Sequence, residues 1–112
     1  MTDTCRGLVA IAENEDAVGE VVNIGSNYEI SIGHLAELIK DLMGSDAAFV
    51  VDEQRIRPPD SEVQRLWCDN GKLRRLTGFE PRYPITEGLR LTIEWFRDPE
   101  NLNSYKTGIY NV

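Results

Sequence analysis

Three features of the 112-residue sequence predict a small α/β fold of the mixed α+β kind, with about four helices and two to three short strands. Apolar residues recur at three- and four-residue spacing in four separate stretches. Short β-branched or apolar runs bounded by turn residues lie between them, and glycine or proline closes most of the helical stretches.

The first helix is expected from residue 4 to about 14, with Asp3 or Thr4 as N-cap and Leu8, Val9, Ile11 and Ala12 on one apolar face. Val18-Gly19 then leads into Glu20-Val21-Val22-Asn23-Ile24, a buried-strand pattern closed by the turn residues Gly25-Ser26-Asn27. Ser31 caps a second helix whose apolar stripe is Ile32, Leu35, Leu38, Ile39 and Leu42, and Gly44 supplies its stop. Ala47 to Val51 is a second candidate strand. A polar, proline-bearing loop follows over residues 52–62, and the two prolines keep it extended and out of a sheet interior. Val63 to Cys68 is a third, short strand candidate. Asp69 or Asn70 then caps a brief helix through Leu73 and Leu76 that ends at Gly78. Residues 79–84 are extended, and Thr86 opens a last clear helix that buries Leu89, Ile93, Trp95 and Phe96 before Asp98-Pro99. Residues 1–98 therefore form one unit, and 99–112 a loosely structured C-terminal tail.

A chain of this length buries one modest core. No stretch approaches the roughly 20 apolar residues that cross a bilayer, and nothing near Met1 resembles a signal segment, so a soluble, cytoplasmic chain without membrane contact is expected. Cys5 and Cys68 are too few for a disulfide framework and stand in no zinc spacing, so both are expected as reduced, buried thiols. The net charge of −7 argues against nucleic acid as a partner, which needs a basic face. Charge is unevenly spread. Residues 1–53 carry two basic residues against eleven acids, a net −9, and residues 54–112 carry ten against eight, a net +2. An anionic ligand belongs with the second half.

The segment Arg55-Ile56-Arg57-Pro58-Pro59-Asp60-Ser61-Glu62-Val63 holds the most chemistry. A guanidinium can clamp a diphosphate through paired N–H donors, and a nearby carboxylate accepts from ribose or sugar hydroxyls. The Pro-Pro pair fixes the spacing between Arg57 and Asp60 and lowers the entropy cost of ordering them. The same composition also suits a solvated surface connection. His34 is expected on the surface, and Trp67, Trp95 and Phe96 as core or interface anchors.

Several motifs, in order, resemble extended short-chain dehydrogenases/reductases acting on nucleotide sugars. Asp3-Thr4-Cys5-Arg6-Gly7 resembles that family's Asp-Thr/Val-Ala-Arg-Gly helix start. Gly19-Glu20-Val21-Val22-Asn23-Ile24-Gly25-Ser26 is similar to its Gly-x-x-Tyr-Asn-Val-Gly-Ser strand and turn. Arg57-Pro58-Pro59-Asp60 matches its Arg-Pro-x-Asp loop, Asp69-Asn70-Gly71-Lys72 its Asp-x-Ser-Lys, and Gly78-Phe79-Glu80-Pro81 its Gly-Trp-x-Pro. The resemblance implies that Arg57 holds the diphosphate of a nucleotide sugar and Asp60 the ribose, with Glu62 a competing acid. Asn23 would line the same site or, alternatively, bond the turn backbone.

The resemblance also implies the substrate-binding part of an NAD-dependent epimerase or 4,6-dehydratase, without the Rossmann half. In the intact family enzyme NAD oxidises the sugar at C4. No Gly-x-x-Gly-x-x-Gly turn occurs in this sequence, and Tyr28, Tyr83, Tyr105 and Tyr110 lack a Lys four residues on. No cofactor is therefore expected in this chain and no catalysis by it alone. The expected partners are a UDP-, GDP- or dTDP-linked sugar, the missing Rossmann half, or a second copy. The alternative is a non-catalytic module of that family that self-associates or docks on a partner.

Overall fold

The computed structural model describes residues 1–50 and 65–105. Helices α1 (Thr2–Ala12), α2 (Ile32–Met43), α3 (Gly71–Thr77), α4 (Ile85–Arg97) and α5 (Pro99–Asn103), with a 3₁₀ turn at Glu15–Ala17, make up its regular structure. Contacts run from α1 to α3, from α2 to α4 and from α4 to α5.

Helix α1 starts earlier than its sequence suggests, with Met1 at the N-cap position, and turns a different face inward. Leu8 and Val9 are more than half exposed, whereas Gly7 is buried and Asp3, Ala10, Ile11 and Asn14 are half-buried. The inward stripe thus follows helical spacing but is small and polar. A Cβ at Gly7 would lie 2.7 Å from Ile24 Cγ2, so the missing side chain lets the helix press onto the extended segment before α2. At the other end of the stripe Asn14 Nδ2 donates to Leu76 O at 2.6 Å, while its Oδ1 accepts from Asp16 N and caps the 3₁₀ turn.

The sequence punctuation of the other helices holds. Ser31 Oγ accepts from His34 N at 3.1 Å to cap α2, and Gly44 closes it at φ 60°, ψ 38°. Gly78 closes α3 at φ 65°, and Asp98 accepts from Glu100 N while Pro99 occupies the first turn of α5. Asp69 Oδ1 accepts from Gly71 N, which frees Asn70 to turn inward. Asn70 is 2% exposed and donates to Gly25 O at 2.8 Å. Leu73 is fully buried, and Phe79 and Ala17 complete the buried apolar side chains among the described residues.

The predicted α/β class is overturned: among the described residues there is no strand, and the fold is helical with extended connections. Glu20 to Ile24 is extended, but side chains take the carbonyls that a ladder would use. Lys72 Nζ donates to Val21 O at 2.9 Å and Asn70 to Gly25 O. Without a neighbouring backbone the β-branched run stays open, and Val21 is 85% exposed. Residues 47–50 and 65–68, the described parts of the other two candidates, form no ladder either. Two further expectations are corrected. Cys5 is exposed and Cys68 half-buried, so they are not the buried thiols expected. No residue of α4 is fully buried, and Leu89, Ile93 and Phe96 are only half-covered. No helix among the described residues is long and apolar enough to cross a membrane.

Gly25 sits so close to Cys68 that an added Cβ would lie 2.5 Å from Sγ and 2.6 Å from Cβ. Gly25→Ala is expected to cost about 1–3 kcal/mol by overpacking, read as a lower midpoint in a thermal melt followed by circular dichroism. Cys68→Gly in the same chain is expected to return part of the loss. An unchanged midpoint in Gly25→Ala would count against this packing.

Candidate functional site

Arg57, Asp60 and Glu62 lie outside the described residues. Asn23 is placed on the extended segment ahead of the Gly25 turn, exposed, with no side-chain hydrogen bond to a described residue. Bonding to the turn backbone, one of the two roles open to it, is carried out by Asn70 instead.

The flank after residues 51–64 begins with Arg65, which makes a paired contact with Glu29. Arg65 Nε donates to Glu29 Oε1 at 2.8 Å and Nη2 to Oε2 at 2.6 Å. The hydrogen bonds from Arg65 hold the Glu29 carboxyl below its ordinary pKa, and the same bonds raise that of the guanidinium. The pair stands in a cleft of about 610 Å³ with Tyr28, Ile32, His34 and Leu66. His34 is exposed there, as expected for a surface residue. Lys72 is bonded to Glu20 as well as to Val21 O, and it holds the Glu20 carboxyl below its usual value.

A larger cleft, about 730 Å³, opens between the first turn of α1, the Ile24–Ser26 turn, the extended segment at residues 79–84, and α4. Its lining is mostly apolar. Trp95, Phe96 and Tyr105 meet edge to face there, with ring centroids 4.9 Å (Trp95–Phe96), 6.0 Å (Trp95–Tyr105) and 5.1 Å (Phe96–Tyr105) apart. Tyr105 was not visible as a member of this group from periodicity. The signal was Asp98-Pro99, an N-cap followed by a proline at N1, which starts α5 and carries the chain back over α4.

Asp3 is the acidic side chain in this cleft. Its Oδ2 accepts from the backbone N–H groups of Arg82 and Tyr83 at 2.9 and 3.0 Å, and its Oδ1 from Arg6 Nη1 at 2.7 Å. Arg6 in turn lies over the Phe79 ring at 5.3 Å. Partial desolvation pushes the Asp3 carboxyl up, but the Tyr83, Arg82 and Arg6 donors together outweigh it and hold the pKa below its ordinary value. A carboxylate so committed is a structural acceptor and a poor general base.

The sequence profile described as GDP-mannose 4,6 dehydratase matches residues 1–92. Among curated proteins the chain is 37% identical over 87 residues to a probable GDP-L-fucose synthase 1 of Oryza sativa subsp. japonica, covering 78% of this chain and 24% of the relative. It is 37% identical over 99 residues to UDP-glucuronic acid decarboxylase 1 of Xenopus tropicalis, covering 87% and 22%. It is 31% identical over 100 residues to a dTDP-glucose 4,6-dehydratase of an Actinoplanes species, covering 87% and 29%. The matched part of these relatives is thus 22–29% of their own length. No solved structure matches the chain significantly.

Because the folded Asp3 carboxyl titrates below its ordinary value of 3.8, its stabilising contribution is complete above that value and is lost as pH falls through the lower folded pKa. Glu20 and Glu29 act in the same direction. The melting midpoint is therefore expected to fall with acidification below about pH 4. Asp3→Asn should melt lower at neutral pH and show a shallower acid decline. Parallel curves for the two proteins would remove Asp3 from this role.

Proposed function

This chain belongs to the GDP-mannose 4,6 dehydratase family of NAD-dependent nucleotide-sugar dehydratases and epimerases, and we propose that it is a nucleotide-sugar-binding part of such an enzyme, not catalytic on its own. The observation that carries this reading is the family match across residues 1–92, a span that includes the Arg57-Pro58-Pro59-Asp60 loop. In this reading the Arg57 guanidinium pairs with the diphosphate, Asp60 or Glu62 accepts from the ribose hydroxyls, and Asn23 lies at the margin. In this reading NAD is held by the part of the enzyme that carries the glycine-rich turn, a motif this sequence does not contain. The chain would act in the cytoplasm.

Relatives named for GDP-, UDP- and dTDP-linked compounds make the nucleotide the property to assign by titration. Calorimetric titration with UDP-glucose, GDP-mannose and dTDP-glucose is expected to give binding to at least one of them. Arg57→Ala should weaken it by about 10- to 100-fold, the loss expected for a charge-assisted pair. Asp60→Asn and Glu62→Gln, compared side by side, decide which acid meets the ribose. No binding to any of the three, or binding untouched by Arg57→Ala, would overturn the reading.

A second reading, a self-associating or partner-docking module, is favoured by the open apolar cleft. Trp95 and Leu91 line it while 45% and 51% exposed, and contiguous apolar surface drives association. This reading expects a concentration-dependent mass in sedimentation equilibrium that Trp95→Arg lowers. A constant monomer mass removes it.

A further inference from the structure

Of the seven asparagines in the sequence, Asn70 is the one followed by glycine. In an Asn-Gly pair the backbone nitrogen of the glycine can attack the asparagine Cγ with no Cβ in its way. The fold holds this reactive pair under three restraints. Gly71 N donates to Asp69 Oδ1 at 2.8 Å, so the attacking nitrogen is tied into the cap of α3 beside a carboxylate whose charge opposes its deprotonation. Asn70 Nδ2 donates to Gly25 O at 2.8 Å and Asn70 O accepts from Arg74 N at 3.0 Å, which fixes both the side-chain amide and the main chain. Asn70 is also 2% exposed, so the water that the reaction consumes is kept away.

We propose that Asn70-Gly71 is a deamidation site gated by the fold, and that its conversion severs the tie between the Gly25 turn and α3. In the first step the Gly71 nitrogen bonds to Asn70 Cγ and the Cγ–Nδ2 bond breaks. Nδ2 leaves as ammonia, taking up the proton that the Gly71 nitrogen gives up, and a cyclic imide remains. Water then opens the imide at one of its carbonyls to give aspartate or isoaspartate at position 70. The sum is asparagine and water going to acid and ammonia, with no oxidant or other reactant. Ring closure turns the Asn70–Gly71 peptide out of the α3 frame, so this region has to open before the reaction proceeds.

The acid does not fit where the amide does. A carboxylate has no N–H for Gly25 O and faces that carbonyl as a second acceptor. Asn70 Oδ1 is already buried with no hydrogen-bond partner among the described residues, so the surroundings offer nothing to a full charge. Isoaspartate in addition lengthens the main chain by one carbon at the N-cap of α3. Gly25 and Ser26 line the larger cleft, so the loss of the tie reaches its wall. The bond that protects the side chain is the one its conversion removes, and the loss of ammonia leaves no way back.

The test is peptide mapping by mass spectrometry of the 112-residue chain aged at mildly alkaline pH, folded and in urea, with isoaspartate scored separately. In urea Asn70 is expected to convert faster than the other six asparagines. In the folded chain its conversion should be at least about tenfold slower, a ratio set by the closed and open populations. Gly25→Ala, which overpacks the same turn, and Asp69→Ala, which releases the Gly71 N–H, should each raise the folded-state rate severalfold and leave the rate in urea nearly unchanged. Gly71→Ala should slow conversion in urea, because its Cβ crowds the attacking nitrogen. The consequence is read on Asn70→Asp, expected to melt at least about 5 °C below the parent. Should that chain not fold, aged chains diluted from urea are compared with fresh ones, and the helical signal regained should fall in proportion to the acid formed at position 70. The proposal is overturned if Asn70 converts no faster than the other asparagines in urea, if folded and unfolded chains convert alike, or if acid at position 70 leaves melting and refolding as in the parent.

Discussion

The hold of Asp3 on the Arg82 and Tyr83 amides joins the first turn of the chain to the segment that leads into α4. It has this weight because α1 presents little apolar surface inward. A helix with a broad apolar stripe is held by burial that tolerates small shifts, whereas one with a small, polar stripe depends on directional bonds and close approach. Here the stripe has three such points: Asp3 on the Arg82–Tyr83 backbone, Gly7 on Ile24, and Asn14 on Leu76 O. Together they locate α1 against α3 and the extended segments on either side. The small buried group of Leu73, Phe79 and Ala17 sits within that frame.

The same frame explains which parts of the fold were legible in the sequence. Helix punctuation was, because it is local chemistry: Ser31 accepting from the third residue beyond it, and Gly44 and Gly78 adopting left-handed φ, need no tertiary partner. The strands were not. A β-branched run states a preference, but a ladder also requires a second backbone alongside, which Glu20 to Ile24 does not find among the described residues. The inward face of α1 was misread for a related reason. Periodicity ranks Leu8 and Val9 as core, whereas the approach to Ile24 selects Gly7, and no apolar pattern announces a glycine.

For the candidate site, legibility divides along similar lines. The proposal of Arg57, Asp60 and Glu62 comes from residue types and order in the sequence, and those residues lie outside the described part of the structure. What the fold adds is the frame on both sides of them, which no motif encodes. Asn23 illustrates the limit from the other direction. Its place at the end of a predicted strand suggested a polar contact, yet the turn is bonded by Asn70, 47 positions later, because Asp69 takes over the cap of α3 and leaves Asn70 free to reach Gly25.

Charge distribution sharpens this further. The basic excess of the second half suggested several cations for an anionic ligand, but the fold commits two of them across the halves. Arg65 is bonded to Glu29 and Lys72 to Glu20, so each joins the acid-rich first half to the second. To use the Nε–Nη2 edge of Arg65, an anion would have to displace the Glu29 carboxylate, exchanging one paired contact for another with little net gain. To use Lys72 it would have to compete with Glu20 and with Val21 O. These two cations are therefore better suited to tying the frame together than to meeting a ligand. Arg57 is proposed for the diphosphate on the sequence alone, where Pro58-Pro59 stands between a donor and an acceptor.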